Sequence, residues 1–574
     1  MRCGWMLGWA SWLALGCAEP RPLPSAEGER QVALLHTADL HSRVWPFPER
    51  VAPFEAELGL GPAGSLQELG GFARLASVVE QEQQRGAELW LDSGDALEGA
   101  EVFERFGGRL ELELLSRLGL SALALGNHEL SLSSQSLADA LSRATFPVLA
   151  ANLSAEPGSA LAGRLAPSVL LRAGELRVGV IGVANPTSPP GLSRPGNAWA
   201  LELQAEPAWA VQAALDDVAP RADLLIVLSH LGLAGDRELV AATSGIDLVL
   251  GGHQHVVTAE PEWADDRSAR RVPIVHSGSY GKLVSRLQLR LQRSPEPRDG
   301  WELVDLGLER LPLASSTPER QDVLELLEPL RAPQPPVAWA PALVARRSAL
   351  GGDSALGNLT ADAVQAVSGA DVVLLNSSAL RADLEPGLLL RSDLVLALPF
   401  NEPWLRVWAT GRDLRRGLER AARRATARRC ESTLQVAGLR LRIDCAACAL
   451  GSECVEVVRV TPWGELPLRD DELLAISLPA YLAQPGADFA DFAAGATPVR
   501  APTVVAALTD YLARSAPVGD AHECAKALRE LTPRRCQDAF GAASCPLTPA
   551  DARASCRRLP QIEGGRDGRI RVQP

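Results

Sequence analysis

Five short apolar runs in the first half of the chain each end in side chains that can hold a metal ion. Val32-Ala-Leu-Leu-His-Thr leads to Asp39 and His41, and Leu89-Trp-Leu-Asp-Ser-Gly leads to Asp95. Ala122-Leu-Ala-Leu-Gly leads to Asn127, His128 and Glu129. Leu224-Leu-Ile-Val-Leu-Ser leads to His230, and Ile246-Asp-Leu-Val-Leu-Gly-Gly leads to His253 and His255. Two divalent cations a few ångströms apart require about eight protein contacts with one carboxylate shared, and accept mixed carboxylate, amide and imidazole donors. Asp39, His41, Asp95, Asn127, His230, His253 and His255 supply such a set. A lone Asp-x-His or Gly-Asp is often a turn or a helix cap. Gly-Asn-His-Glu and Gly-His-x-His are rarer, and the five together point to a metal site. His36, inside an apolar run, reads as a core histidine; His276 reads as loop architecture, and His522 has no motif around it.

Apolar runs followed by Gly, Asp, Asn and His are buried strands whose polar residues lie in loops at one end of a sheet, where open α/β sheets place their sites. At 574 residues, two or three domains are expected. A net charge of −13 argues against a general nucleic-acid binder but not against a nucleotide held in one basic pocket. Residues 1–17 read as an export signal ending in Ala14-Leu15-Gly16-Cys17, which resembles a bacterial lipoprotein processing site. An ordinary cleaved signal is the alternative. Ala18 suits outer-membrane sorting, so the expected location is the periplasm or the outer-membrane surface, with a possible lipid anchor. After Cys17 come eight cysteines, all beyond residue 429, which suggests disulfides in an exported chain. Cys445 and Cys448 could form half a zinc site, but no histidine or second close pair lies nearby.

Residues 18–30 read as a tether, 31–310 as a first α/β domain, 311–341 as a Pro-rich linker, 342–515 as a second α/β domain and 516–574 as a Cys-rich tail. The arginines from Arg412 to Arg429 read as a solvated basic helix face rather than a patch for lipid or substrate.

The ordered motifs resemble the calcineurin-like metallophosphoesterase superfamily. Leu356-Gly-Asn-Leu-Thr-Ala-Asp362, Asn376-Ser-Ser-Ala-Leu-Arg381-Ala-Asp383, Leu398-Pro-Phe-Asn401 and Gln435-Val-Ala-Gly438 resemble the C-terminal domain of 5′-nucleotidases. The resemblance implies a four-layer α/β/β/α catalytic domain and a second, substrate-binding α/β domain. It implies two divalent metal ions, one held by Asp39, His41, Asp95 and His255, the other by Asp95, Asn127, His230 and His253. Metal-activated water would attack phosphorus in line. Asn127, His128 and Arg381 would act at the phosphate, and Asn376, Arg381 and Phe489 would hold the substrate.

The chain departs from that pattern in four places. Gly-Asn-His-Glu is commonly followed by Phe-Asp, whose acid orients the histidine; here Leu130 and Ser131 follow, so the dyad is missing or rebuilt from elsewhere, and a slower enzyme is expected. Of the two aromatic residues that sandwich a base, one position is Thr433 and the other Phe489. The usual glycine-rich loop is Ser377-Ser-Ala-Leu-Arg381, and arginines expected before Gly-Asn-Leu are replaced by Gly351-Gly352-Asp353. The reading is a two-metal phosphoesterase acting on nucleotides. The alternatives are a cyclic-nucleotide phosphodiesterase or 3′-nucleotidase, a nucleotide-sugar hydrolase, and a surface binding lipoprotein without catalysis.

Overall fold

The computed structural model describes residues 28–573 apart from 186–200, 205, 294–300, 349–350, 401–403, 427–428, 485, 496, 499–502, 520, 563–564 and 566. The signal and lipidation motif at 1–17, most of the tether, Asn401 and Arg428 lie outside the described residues.

The apolar runs form two six-stranded sheets. The first has the order Trp301–Pro312, Leu283–Arg293, Glu29–Thr37, Ala87–Asp92, Ala122–Ala124 and Val148–Leu149. The second has the order Glu262–Asp265, Arg271–His276, Leu248–Gly251, Leu224–Ser229, Leu176–Val183 and Ser168–Ala173. Their central strands are parallel and buried on both faces, which is why they read as unbroken apolar runs. Leu34, Leu89, Leu91 and Ala122 of one sheet meet Val178, Ile226, Leu228 and Leu250 of the other in a shared core. The helices Phe72–Gln84 and Arg109–Arg117 cover the first sheet, and Pro207–Val218 and Gly232–Ala242 cover the second. The result is the expected α/β/β/α sandwich.

One acid in the outer helices is exceptional. Glu111 in Arg109–Arg117 is fully buried, and neither carboxyl oxygen has a well-aligned hydrogen-bond partner. Burial pushes its pKa from 4.5 up to about 7, with the Ser42 hydroxyl pulling weakly the other way. The folded protein therefore keeps a proton that the unfolded chain releases, so this group's contribution to stability falls as pH rises from about 4.5 to about 7. Glu111→Gln should remove that slope and be more stable than the parent above pH 7 by a figure on the order of 2–3 kcal/mol. Melting curves at pH 5, 6, 7 and 8 measure this, and parallel curves would refute it.

The Pro-rich stretch is anchored at both ends. Val323 and Leu327 of the helix Gln321–Leu327 join the first domain's core, while Pro336–Ala340 pairs with Gly387–Leu390. Beyond it, a five-stranded sheet runs in the order Leu434–Ala437, Val372–Asn376, Leu473–Pro479, Trp404–Thr410 and Thr497–Pro498. A four-stranded sheet has the order Gly464–Pro467, Val455–Thr461, Leu439–Asp444 and Ile570–Gln573.

All eight described cysteines are paired, as Cys430–Cys445, Cys448–Cys454, Cys524–Cys556 and Cys536–Cys545. The Cys445-x-x-Cys448 motif is thus split between two disulfides. The last two bridges staple the helices Ala521–Arg529, Pro533–Phe540 and Pro549–Cys556 into a small core that packs on Trp339, Leu388 and Leu390. The final strand lies parallel to Leu439–Asp444, and Arg569 just before it bridges to Asp362 at 2.6 Å. The basic helix Gly411–Thr426 is a paired surface: Arg420 meets Asp491 at 2.9 Å, Arg424 meets Asp488 at 3.0 Å and Arg423 meets Glu419 at 3.3 Å.

Candidate metal centre

Every candidate metal ligand lies in a loop just past the C-terminal end of a strand, and the loops are knitted together by backbone. Asp39 N–H donates to the Gly94 carbonyl, His41 N–H to Asp95 and Ser42 N–H to Ala96, each at 2.9 Å. The turns are sharp enough to put Asp39, His41, Asp95, Glu98, His253 and His255 in the left-handed region, with φ from 49° to 77°. Such strain persists only where the surroundings impose it, and it clusters at functional sites. Glu129 helps impose it. Its carboxylate accepts from the backbone N–H groups of Asp95 (3.0 Å), Leu97 (3.0 Å) and Gly126 (2.8 Å). Gly126 must be glycine, because a Cβ there would collide with the Asp95 carboxylate.

Side-chain donors converge in three groups: Asp39, His41 and His255; His41, Asp95 and His128; and Asp95, His230 and His253. His41 Nε2 lies 3.0 Å from His255 Nε2 and 3.9 Å from both Asp39 Oδ1 and Asp95 Oδ2. His230 Nε2 lies 2.9 Å from Asp95 Oδ2 but out of hydrogen-bonding alignment, a buried nitrogen left without a partner. His253 Nδ1 is 2.9 Å from Asn127 Oδ1. Ligand atoms bound to one cation at about 2.0–2.2 Å sit roughly 3–4 Å from each other, so these spacings and this donor set fit divalent cations. His41 Nδ1 donates to the Glu98 carbonyl (2.8 Å) and His230 Nδ1 to the Ser93 carbonyl (2.7 Å). A carbonyl can only accept, so each Nδ1 carries a proton and Nε2 is the inward-facing atom that a cation would bind on displacing any proton there.

Burial dominates the electrostatics. It holds His41 and His255 well below the usual imidazole range, and with His230 nearby it takes His253 down to about 3. Burial also opposes charge on His230, but Asp95 and Asp39 outweigh it and push that imidazole up to about 10. At His128 burial is likewise outweighed, by Asp95 and by the hydrogen bond that its ring donates to the Glu98 carboxylate, and the pKa rises.

The second domain reaches this centre. Phe400 stacks on His128 with ring centroids 5.0 Å apart and planes 17° from parallel. The Arg381 guanidinium lies over the Phe400 ring, 4.9 Å from its centroid, and its Nε is buried without a partner. Asn376 ends the strand Val372–Asn376 and donates to Ser378 Oγ at 2.8 Å, in the turn that leads to Arg381; its Oδ1 has no partner.

Phe489 is not brought to the centre. Its ring is completely buried, packed over Gly417 of the basic helix and 5.4 Å from Phe492. A Cβ at Gly417 would run into the ring, so that glycine makes the room that draws Phe489 into the core. The structure therefore does not bring Phe489, expected as a substrate contact, together with the other site residues. His36 is a satisfied core histidine, 2.9 Å from Ser93 Oγ and 2.6 Å from Ser277 Oγ, and His276 ends a strand 2.6 Å from Asp236 Oδ2. Gly352 and Asp353 serve the C-terminus. The Ile570 carbonyl occupies the place of a Gly352 Cβ, and Asp353 accepts from the Gly568 N–H at 3.2 Å. Sequence reasoning missed Tyr280, whose ring meets His255 edge-on, and Glu98, whose side chain reaches His128; for Glu98 the available signal was its place three residues after Asp95 in the same loop.

Residues 32–257 match the family described as calcineurin-like phosphoesterase, and residues 336–494 match the 5′-nucleotidase C-terminal domain. The chain is 27% identical over 465 residues to Protein 5NUC of Lutzomyia longipalpis, spanning 73% of this chain and 78% of that protein. It is 30% identical over 299 residues to the 5′-nucleotidase of Mus musculus, spanning 48% of this chain and 49% of that one. The crystal structure of the 5′-nucleotidase precursor from Thermus thermophilus superposes with a TM-score of 0.75 at 24% identity, covering 95% of this chain and 100% of that chain. The chain thus carries a calcineurin-like phosphoesterase domain followed by a 5′-nucleotidase C-terminal domain, in the order and fold of 5′-nucleotidases, and is a metal-dependent phosphoester hydrolase.

Proposed function

We propose that the protein is an exported phosphomonoesterase that takes two divalent cations and acts on nucleotides. Asp39, His41, Asp95 and His255 would hold one cation, and Asp95, Asn127, His230 and His253 the other. The observation that carries the reading is the sharing of Asp95 between two converging donor groups, one of which includes His128, the ring on which Phe400 stacks. Bound cations of this kind polarise phosphoryl oxygens and supply a nucleophile at neutral pH. His128 presents its imidazole to the phosphate and steadies the charge that develops there. Arg381, a rigid fork of donors with a free buried Nε, clamps the phosphate or ribose side, with Asn376 nearby. The four disulfides among the described residues support an oxidising compartment, and Cys17 would carry the lipid anchor.

A broader ester range is favoured by one observation: Thr433 and the buried Phe489 leave neither base-stacking position with an exposed aromatic ring. Stacking contributes about 1–3 kcal/mol per base elsewhere. Phosphate release by the mature chain with Mn²⁺ or Zn²⁺ separates the readings. The substrates are AMP, a 2′,3′-cyclic nucleotide, a nucleotide sugar and p-nitrophenyl phosphate. AMP is expected to be cleaved, with kcat/KM within about tenfold of the generic ester, because the missing stack removes about that much discrimination. Cleavage of only the generic ester would reject the nucleotide reading. No cleavage with any metal would leave the binding-protein reading.

A further inference from the structure

We propose that Glu98 is the positioning residue that fixes the catalytic orientation of the His128 ring. The proposal rests on His128 acting at the phosphate, and its evidence is geometric. Glu98 is almost fully buried and stands at φ 59°. The loop cannot relax away, because the next residue, Gly99, lies so close to His41 that a Cβ would sit 2.7 Å from its Cβ and carbonyl oxygen. Held there, Glu98 does two things at once. Its carbonyl accepts from His41 Nδ1 at 2.8 Å, and its carboxylate Oε2 lies 2.9 Å from His128 Nδ1. Ser131 Oγ sits 2.8 Å from the same carboxylate oxygen.

The other restraints on His128 leave one degree of freedom open. Its backbone N–H donates to Asp95 Oδ1 at 2.8 Å, and Phe400 covers one ring face. Stacking holds the plane of an imidazole but is nearly blind to a half-turn about χ2, which exchanges Nδ1 with Cδ2 and Nε2 with Cε1. A carboxylate on the Nδ1 edge distinguishes the two, since a C–H there forfeits a charge-assisted hydrogen bond. Glu98 therefore selects the rotamer that turns Nε2, rather than carbon, toward the centre, where it lies 3.8 Å from Asp95 Oδ2. Ser131, within reach of the same oxygen, marks a second position from which a carboxylate could do this work.

Glu98→Ala should lower kcat on the order of 10²-fold, as loss of an orienting partner commonly does, with KM changed less than about threefold. Bound-metal content should stay at the parent level, because the Glu98 carbonyl that holds His41 is backbone. Glu98→Gln, which keeps the shape and an acceptor, should lose about tenfold and guards against a folding defect in the alanine variant. Adding Ser131→Asp to Glu98→Ala should recover at least about tenfold in kcat. In the ¹⁵N-histidine-labelled protein, the hydrogen-bonded Nδ1–H resonance that disappears in His128→Asn should also disappear in Glu98→Ala and return in the double variant. Persistence of that resonance in Glu98→Ala overturns the proposal whether or not any ester is hydrolysed. So does an unchanged kcat, or a loss confined to KM. A parent protein that cleaves nothing while the resonance behaves as stated would instead overturn the phosphatase reading and leave Glu98 as the partner of His128.

Discussion

Asp95→Asn is expected to cut phosphate release by at least about 10³-fold, since the charge it removes supplies several kcal/mol of cation binding and transition-state stabilisation. Asp95 is 1% exposed, and its two oxygens are divided between partners: Oδ1 accepts from the His128 N–H and Oδ2 faces His230 Nε2 at 2.9 Å. Asparagine fits the same space, and its Oδ1 can still accept from His128. What it lacks is the negative charge shared by both donor groups. Metal content after dialysis should therefore fall along with activity. In chelator the variant should melt no lower than the parent, because a buried carboxylate without its cations is a liability that the amide does not carry. Activity within tenfold of the parent at full metal content would show that Asp95 is not shared between two cations.

Phe489→Ala is expected to cost about 3–5 kcal/mol of second-domain stability, the usual price of emptying a phenylalanine site in a closed core. For a unit of this size that is a drop of roughly 10 °C in its calorimetric transition. KM for AMP should be unchanged, since the ring lies over Gly417 and touches no exposed surface. The opposite pattern, a raised KM with an unchanged transition, would place the ring against the nucleoside after all.

The convergence of the candidate metal ligands was legible because it is written in local order. A buried strand reads as an apolar run, its end as glycine and turn residues, and the loops at Asp39, Asp95, Asn127, His230 and His253 all emerge at the same end of the two sheets. The fate of Phe489 was not legible in the same way. It turns on Gly417, 72 positions earlier, and on a helix-to-loop packing that no periodicity announces. The glutamate beside His128 was hidden for a related reason. Motif reasoning looked for an acid three residues after the histidine and found Ser131, whereas the carboxylate arrives across the site from the loop after another strand. Gly352 and Asp353 looked like losses from a substrate site, and become intelligible once the distant Ile570 is seen lying against them.

The strand Ile570–Gln573 has a consequence for the order of events during synthesis. Its partner Leu439–Asp444 leaves the ribosome about 130 residues earlier and must wait, with one edge of its sheet open, until the final strand is delivered. Until then the backbone groups of 441–444 have no parallel neighbour, Gly352 faces an empty place, and Asp362 lacks Arg569. The first domain's sheets draw on nothing beyond Pro312 and can close while the rest is still being made. Vectorial folding thus proceeds in two instalments. The half that carries Asp95 and the clustered histidines can mature early, and the half that carries Arg381 and Phe400 is completed only once Ile570–Gln573 has arrived.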